Sequence, residues 1–252
     1  MKTAIVTGAS SGLGTEFVKG IVKQRKEIEK IVVIARRADR LSKLKETYGD
    51  IIFPLPLDLT AEDFAEKLDN TLKSEDFDVA LLINNAGFGK LADFADISTR
   101  DNAMMVRLNC EALNTVTSVC LPYMKAGAEI INTCSIASFA PNTRMATYSS
   151  TKAYVMSLSR ALRGELKERK INVLACCPGP MNTEFLPIAN IEKGTSHTFD
   201  TLPRVNVTEM AEKSLIASKK GRAVYTNKLF YKFYRFVAKV LPTSLVMEMA
   251  KT

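Results

Sequence analysis

The chain has 252 residues, 46% of them hydrophobic and 25% charged, an ordinary globular composition with enough apolar material for a sizeable core. No run of about 18 or more apolar residues occurs, which excludes a transmembrane helix by the usual criterion, and the opening Met1-Lys2-Thr3-Ala4-Ile5-Val6 reads as a strand rather than a signal peptide. The net charge of +8 is dispersed, so nucleic acid is not an expected partner, and one histidine with five unclustered cysteines leaves no metal-ligand set.

In chain order, short β-branched runs alternate with longer helical patterns. Strands are expected at Thr3–Thr7, Ile31–Ala35, Ile51–Leu55, Val79–Ile83, Glu129–Thr133 and Ile171–Cys176. Helices are expected at Leu13–Lys26, Arg37–Tyr48, Ala61–Ser74, as a pair over Ser98–Lys125, and at Ser149–Arg169. This alternation predicts right-handed βαβ units and an α/β doubly wound parallel sheet flanked by helices. The nearly unbroken apolarity of the strands suits a sheet covered on both faces. No linker or repeat divides the chain, so residues 1–252 are expected as a single domain.

Pro178–Asn206 breaks the pattern with prolines, glycines and small polar residues; such a stretch suits a substrate lid, assigned to 182–206. Helix returns at Val207–Lys219, capped by Thr208 or an adjacent residue, and Ala223–Thr226 suits a last strand. Cys134, Cys176 and Cys177 fall in strand-like runs; with Cys110 and Cys120 they are expected as free thiols in a reducing cytoplasm.

The turn after the first strand reads Thr7-Gly8-Ala9-Ser10-Ser11-Gly12-Leu13-Gly14. Gly8 permits the sharp strand-to-helix turn, Gly12 admits a pyrophosphate to the backbone, and Gly14 lets the helix pack on the sheet. The free N–H groups of the opening helix then face the phosphates. The second strand ends in Arg36-Arg37 instead of the carboxylate that NAD-selective folds place on the ribose 2′-hydroxyl. An arginine there can fork onto a 2′-phosphate, so the expected cofactor is NADP. Asp39, the nearest acid, belongs to the first turn of a helix, where it suits the dipole.

Ser135 follows an apolar strand, and Tyr148 and Lys152 follow it at i and i+4 of a helix, on one face. A phenol with a free pKa of about 10 needs a nearby cation to serve as a base near neutrality. Lys152 and an oxidised nicotinamide supply one, so Tyr148 can exchange a proton with a carbonyl or alcohol oxygen that Ser135 hydrogen-bonds. Taken singly, Ser135 also suits a strand-end turn, Tyr148 a packed aromatic and Lys152 a surface charge.

Together these motifs resemble the short-chain dehydrogenase/reductase family. The match comprises the Thr7–Gly14 turn, Asp58-Leu59, Asn84-Asn85-Ala86-Gly87, Asn109, Ser135, Tyr148-Ser149-Ser150-Thr151-Lys152 and Pro178-Gly179, in the family's order, over roughly 2–183. The resemblance implies a Rossmann-like fold and an NADP-dependent ketone–alcohol oxidoreductase that forms homodimers or homotetramers. It implies that Asp58 and Leu59 flank the adenine, and that Asn85, Ala86 and Gly87 line the ribose. Lys152 is implied to bind the nicotinamide ribose. Asn109 is implied to hold a water in a proton relay, and Pro178, Gly179, Met181 and Thr183 to close over the carboxamide. Arg36 occupies the position that selects NADP, whereas Ser11 stands where some members carry a second basic residue, so selectivity rests on Arg36 and Arg37. A non-catalytic NADP(H)-sensing protein of the same fold is the alternative, and retention of Ser135, Tyr148 and Lys152 argues against it.

The expected pocket candidates are Phe88, Phe139, Asn142, Met145, Pro180, Met181, Phe185, Leu186 and Ile188, an apolar set suited to a hydroxysteroid or acyl-chain ketone. His197 has no local partner and is expected in an exposed loop. Residues 227–252 form a basic C-terminal extension. Within it, Lys228–Leu241 interleaves Lys228, Lys232, Arg235 and Lys239 with aromatic and aliphatic residues before Pro242. Peripheral membrane contact through 228–241, a cover over the pocket, a subunit contact and a core-facing helix with a solvated basic stripe all suit that pattern.

Overall fold

The computed structural model describes residues 1–192, 194 and 196–249, so the expected lid (182–206) and C-terminal extension (227–252) each include residues outside the described set. The apolar runs form β1 (Lys2–Thr7), β2 (Lys30–Ala35), β3 (Ile52–Pro56), β4 (Asp78–Asn84), β5 (Glu129–Thr133) and β6 (Asn172–Cys176), with a two-residue β7 (Val224–Tyr225). They pair in the order β3-β2-β1-β4-β5-β6-β7, all parallel. Alternate side chains enter opposite cores. Ala4 and Val6 of β1 face the core of α1 (Gly12–Gln24), α2 (Ala38–Tyr48) and α9 (Val207–Lys219). Ile5 faces the core of α3 (Phe64–Ser74) and α5 (Leu113–Cys120). Burial on both faces explains why these strands read as unbroken apolar runs. Strand order reverses between β1 and β4, which opens a crevice at their carboxyl ends.

Several boundaries differ from expectation for local reasons. The pair of helices over 98–125 is one continuous run in which α4 (Thr99–Val106) joins α5 through a π-helical stretch, Arg107–Ala112. The helix α6 spans Ala146–Glu165, three residues earlier than expected at its start and four shorter at its end. The helix α3 starts at Phe64 rather than Ala61. Asn206, not Thr208, caps α9, its side chain accepting from Glu209 N at 2.9 Å. Among its described residues, the segment expected as a lid is less irregular than its composition suggests: α7 (Phe185–Ile188) and α8 (His197–Thr201) interrupt it, and Met181 bridges Val205. His197 opens α8 rather than sitting in a loop, and its side chain lies outside the described residues.

A buried polar chain ties this scaffold together under the crevice. Asn84 Nδ2 donates to Thr117 Oγ1 and to Asn132 Oδ1, both at 2.9 Å, and Asn132 Nδ2 donates to Ser159 Oγ at 3.0 Å. Asn84 and Asn132 are in register on β4 and β5, so the chain runs from α5 to α6 across one sheet face. At the opposite strand ends, Arg25 forks onto Glu129 at 2.5 and 2.9 Å and donates to Leu215 O, joining α1, β5 and α9.

The C-terminal helices α10 (Leu229–Val240) and α11 (Thr243–Met249) cap the lid side. Tyr231 is fully buried with its hydroxyl on Pro203 O at 2.7 Å. The apolar stripe of α10 does not face the core: Leu229, Phe233, Phe236 and Val240 are 81%, 66%, 62% and 63% exposed.

The Asn84–Asn132 chain predicts that Asn132→Leu strands buried amide and hydroxyl groups. Urea unfolding is expected to show a loss of about 1–3 kcal/mol; unchanged stability would mean that the chain contributes nothing net.

Candidate active site

The cofactor cradle is built where β1 meets α1. Gly12 has φ +54°, a left-handed conformation that costs a side-chain-bearing residue strain. A Cβ on Gly14 would collide with the carbonyl oxygen of Gly8, so the turn closes only with glycine there. Ser11 precedes α1 without a side-chain cap bond, leaving the first N–H groups of the helix to a ligand. Thr7 Oγ1 accepts from Asn85 N and Ala86 N at 2.9 and 3.0 Å, and Asn85 Nδ2 reaches Thr7 O at 3.2 Å, which holds the carboxyl ends of β1 and β4 together.

At the end of β2, Arg37 donates through Nε and Nη2 to Ser10 Oγ at 3.2 and 3.0 Å. Asp58 accepts from Thr60 N and Oγ1 at 2.9 and 2.7 Å. Partial burial works to raise its pKa, but the Thr60 donors together with Arg36 and Arg107 outweigh it and hold the carboxyl below its usual value. A strand-to-helix turn with open N–H groups, facing arginines and a serine hydroxyl, fits a dinucleotide bearing a 2′-phosphate.

Ser135, Tyr148 and Lys152 converge as their spacing implies, and all three are buried. The Ser135 hydroxyl accepts from Ala137 N at 3.1 Å and stands close enough to the Tyr148 phenol to favour its ionised form. Lys152 donates to Thr133 O at 2.8 Å and stands 5.8 Å from the Tyr148 ring centroid. Burial pushes the phenol up to about 12 against the lowering contact with Ser135. Burial likewise pulls the Lys152 ammonium down. Without a bound cofactor the phenol is therefore protonated at working pH, the form that donates to a carbonyl oxygen. The neighbouring thiols Cys176 and Cys177 are held protonated by burial, Cys176 raised to about 12. No disulfide joins the described cysteines.

Of the residues expected at the site, all but Gly14 and Asn109 line one cleft of about 960 Å³: Gly8, Ser10, Ser11, Gly12, Leu13, Arg36, Arg37, Asp58, Leu59, Asn85, Ala86, Gly87, Ser135, Tyr148, Lys152, Pro178, Gly179, Met181 and Thr183. Gly14 lies behind the turn. The Asn109 side chain is committed elsewhere: it accepts from Phe88 N at 3.0 Å and donates to Phe88 O at 2.8 Å and to Thr151 Oγ1 at 3.1 Å. It fixes the strand-end segment that carries Gly87 beside Lys152.

Among the pocket candidates, Phe139 does not line the cleft; its ring packs on Tyr234 instead, 5.9 Å between centroids. Sequence reasoning missed Gly89, where a Cβ would press on the Tyr148 ring at 2.7 Å, and Gly179 as the seat of the Tyr231 ring. It missed Arg40, which pairs with lid residue Glu184 at 2.6 Å. It also missed Phe199, Leu202, Phe230, Tyr231 and Tyr234 as wall residues. A glycine beside an assigned motif, such as Gly89, was the available signal; the aromatic pattern of 228–241 suited a cover over the pocket among other readings, but did not single out Phe230, Tyr231 and Tyr234.

A family model described as short chain dehydrogenase matches residues 2–193. The chain belongs to this family. A probable NADP-dependent dehydrogenase of Haemophilus influenzae is 36% identical over 189 residues, covering 73% of each chain. A serine 3-dehydrogenase of Agrobacterium fabrum is 32% identical, again over 73% of each. Among solved structures, a short-chain dehydrogenase from Sphingobium yanoikuyae in complex with NADPH is similar with a TM-score of 0.79 at 25% identity, covering 97% of this chain and 98% of that one. The family match ends before α9 and the C-terminal helices.

Replacing the phenol should separate binding from chemistry. Tyr148→Phe is expected to bind NADPH with near-native affinity while turnover falls by at least about 10²-fold. In the parent protein, alcohol oxidation, which needs the phenolate, is expected to accelerate with rising pH, whereas carbonyl reduction is not. Turnover retained in Tyr148→Phe would remove the phenol from the reaction.

Proposed function

We propose that this NADP(H)-dependent oxidoreductase interconverts a ketone and a secondary alcohol on a hydrophobic substrate of the hydroxysteroid or 3-oxoacyl type. The observation that carries this reading is the buried Tyr148 phenol, with Ser135 beside it, opening onto a cleft whose walls beyond the cofactor cradle are largely aromatic and aliphatic. NADPH, when bound, supplies a hydride to the carbonyl carbon. Tyr148 gives its proton to the carbonyl oxygen, Ser135 hydrogen-bonds that oxygen as charge develops, and Lys152 holds positive charge nearby. Phe185 of the lid packs on the Tyr148 ring at 5.6 Å between centroids, which supports water exclusion by residues 182–206.

Lys90 and Arg100 also line the cleft and favour a second reading, a substrate carrying a carboxylate, as a 3-hydroxy acid would. A panel of steroid ketones, 3-oxoacyl thioesters and 3-hydroxy acids, assayed with NADPH or NADP⁺ and with NADH or NAD⁺ in parallel, decides between them. Turnover confined to the bulky ketones or thioesters is the expected result; turnover confined to 3-hydroxy acids would replace it. NADPH binding without turnover of any class would favour a sensor.

The exposed face of α10 supports peripheral membrane contact for a protein whose free thiols suit the cytoplasm. Leu229, Phe233, Phe236 and Val240 recur at i, i+4, i+7 and i+11, and Lys228, Lys232, Arg235 and Lys239 repeat that spacing one residue earlier. A basic stripe therefore lies about 100° round the helix from a solvent-facing apolar stripe, the arrangement that complements an anionic lipid surface. No described helix is long and apolar enough to cross a membrane. Exposed Val106 and Tyr154, on the neighbouring helices α4 and α6, suit a homodimer or homotetramer contact.

Because Tyr231 of α10 fills the space beside Gly179, truncation would disturb the site, and point changes test the surface better. The protein is expected to co-sediment with phosphatidylserine-containing vesicles but not with pure phosphatidylcholine. Phe233→Ser with Phe236→Ser, or Lys232→Glu with Lys239→Glu, is expected to abolish this. Absence of vesicle binding by the parent protein at low salt would end the membrane reading.

A further inference from the structure

Arg37 precedes α2 as its N-cap and Arg40 lies in its first turn, and their guanidinium groups converge on one carboxylate. Glu184 Oε2 accepts from Arg37 Nη1 at 2.8 Å and Glu184 Oε1 from Arg40 Nη1 at 2.6 Å. The same Arg37 donates to the Ser10 hydroxyl of the glycine turn. Ser10, Arg37 and Arg40 thus surround an anion position at the carboxyl end of β2, the place where the ribose 2′ substituent of a dinucleotide falls in such folds. A lid residue supplies the anion. The preceding Thr183 lies against Gly12, 3.3 Å from where a Cβ would stand, so Thr183-Glu184 spans the cleft from the phosphate turn to the arginine pair.

We propose that the 2′-phosphate of NADP(H) and the Glu184 carboxylate compete for the Arg37–Arg40 pair. Arg40 is then a third determinant of NADP(H) selectivity, and Glu184 is a latch that holds the lid until the phosphate displaces it. A phosphate monoester carries close to two negative charges near neutrality and three acceptor oxygens, against one charge and two oxygens for the carboxylate. It is therefore the stronger ligand for two guanidinium groups. Glu184 and both arginines are about 40% exposed on their side chains, so the ion pairs are screened and weak enough to exchange. Hydrogen bonds from Arg40 and then Arg37 hold the Glu184 carboxyl down at about 2, which keeps it charged at every working pH. Glu184 itself therefore does not titrate in that range, and release of the latch depends on the competing anion. NADH lacks the phosphate and leaves the latch closed.

The inference rests on NADP(H) being the cofactor, and the test separates the two. Fluorescence titrations with NADPH and NADH are made on the parent protein, Glu184→Gln and Arg40→Gln. Glu184→Gln is expected to tighten NADPH by ~3- to 10-fold and to leave NADH within about twofold; Arg40→Gln is expected to weaken NADPH by a similar factor and spare NADH. Hydrogen exchange over 182–192 reads the lid directly: 2′,5′-ADP, which carries the phosphate but no nicotinamide, is expected to raise exchange there, and 5′-ADP is not. Unchanged or weaker NADPH binding by Glu184→Gln would overturn the competition and make Glu184 a supporting residue. An unchanged NADPH-to-NADH ratio in Arg40→Gln would remove Arg40 from selectivity. Equal binding of NADPH and NADH by the parent protein would remove the cofactor assignment itself, and the latch with it.

Discussion

The hydrogen-bond chain Thr117–Asn84–Asn132–Ser159 is the constraint on which the rest of the molecule turns. Amides sealed inside a sheet are costly when their partners are lost, so the three hydrogen bonds of this chain admit little slippage, although Asn84 Oδ1 has no protein partner. Because Asn84 and Asn132 face each other in register, the chain fixes β4 against β5 and sets α5 and α6 at matched heights on one face. The segment after β4 carries Asn85, Ala86 and Gly87, the segment after β5 carries Ser135, and α6 carries Tyr148 and Lys152. A one-residue shift of either strand would separate these groups and turn the asparagines away from each other.

Burial governs the electrostatics of the candidate site. Tyr148 and Lys152 occupy a desolvated position that shifts both titrations against the charged form, the phenol raised and the ammonium lowered. Lys152 is anchored on Thr133 O rather than bonded to the phenol. A bound oxidised nicotinamide would add positive charge that favours the phenolate, which would couple proton release to cofactor state. At the other end of the cleft the balance is reversed: Arg36 and Arg37 line it and are accessible, with half-exposed Arg40 beside them, suited to meeting an anion from solvent.

Between these ends lies the segment from Pro178 to Asn206, pinned at several points that differ in strength. Leu91 N donates to Ala189 O at 2.8 Å, Val205 N to Pro180 O at 2.8 Å, and Phe185 packs on Tyr148, all apolar or main-chain contacts. The Glu184 pairs add a half-exposed, ionic attachment. Behind the segment, α10 divides its roles by face. Tyr231 and Tyr234 close the cleft wall, while the opposite stripe of Leu229, Phe233, Phe236 and Val240 is left to solvent.

Periodicity alone set out the alternating strands and helices, because strands buried on both faces and helices buried on one leave different apolar patterns. Order and spacing along the chain likewise marked the Gly8–Gly14 turn, Arg36 and Arg37, Ser135, and the Tyr148–Lys152 pair, since each is a local feature of a strand end or a helix face. Tertiary structure decided what depends on residues distant in sequence. The side chain of Asn109 went to Phe88 and Thr151 instead of the cleft, because a π-helical stretch and the strand-end segment meet only in the folded chain. Arg40 became part of the arginine cluster only when the lid brought Glu184 to it, 144 residues on. The amphipathic pattern of α10 could not say which face is buried, because periodicity reports that faces differ and not which neighbour is present. Contact between Tyr231 and Gly179 turned the apolar stripe outward.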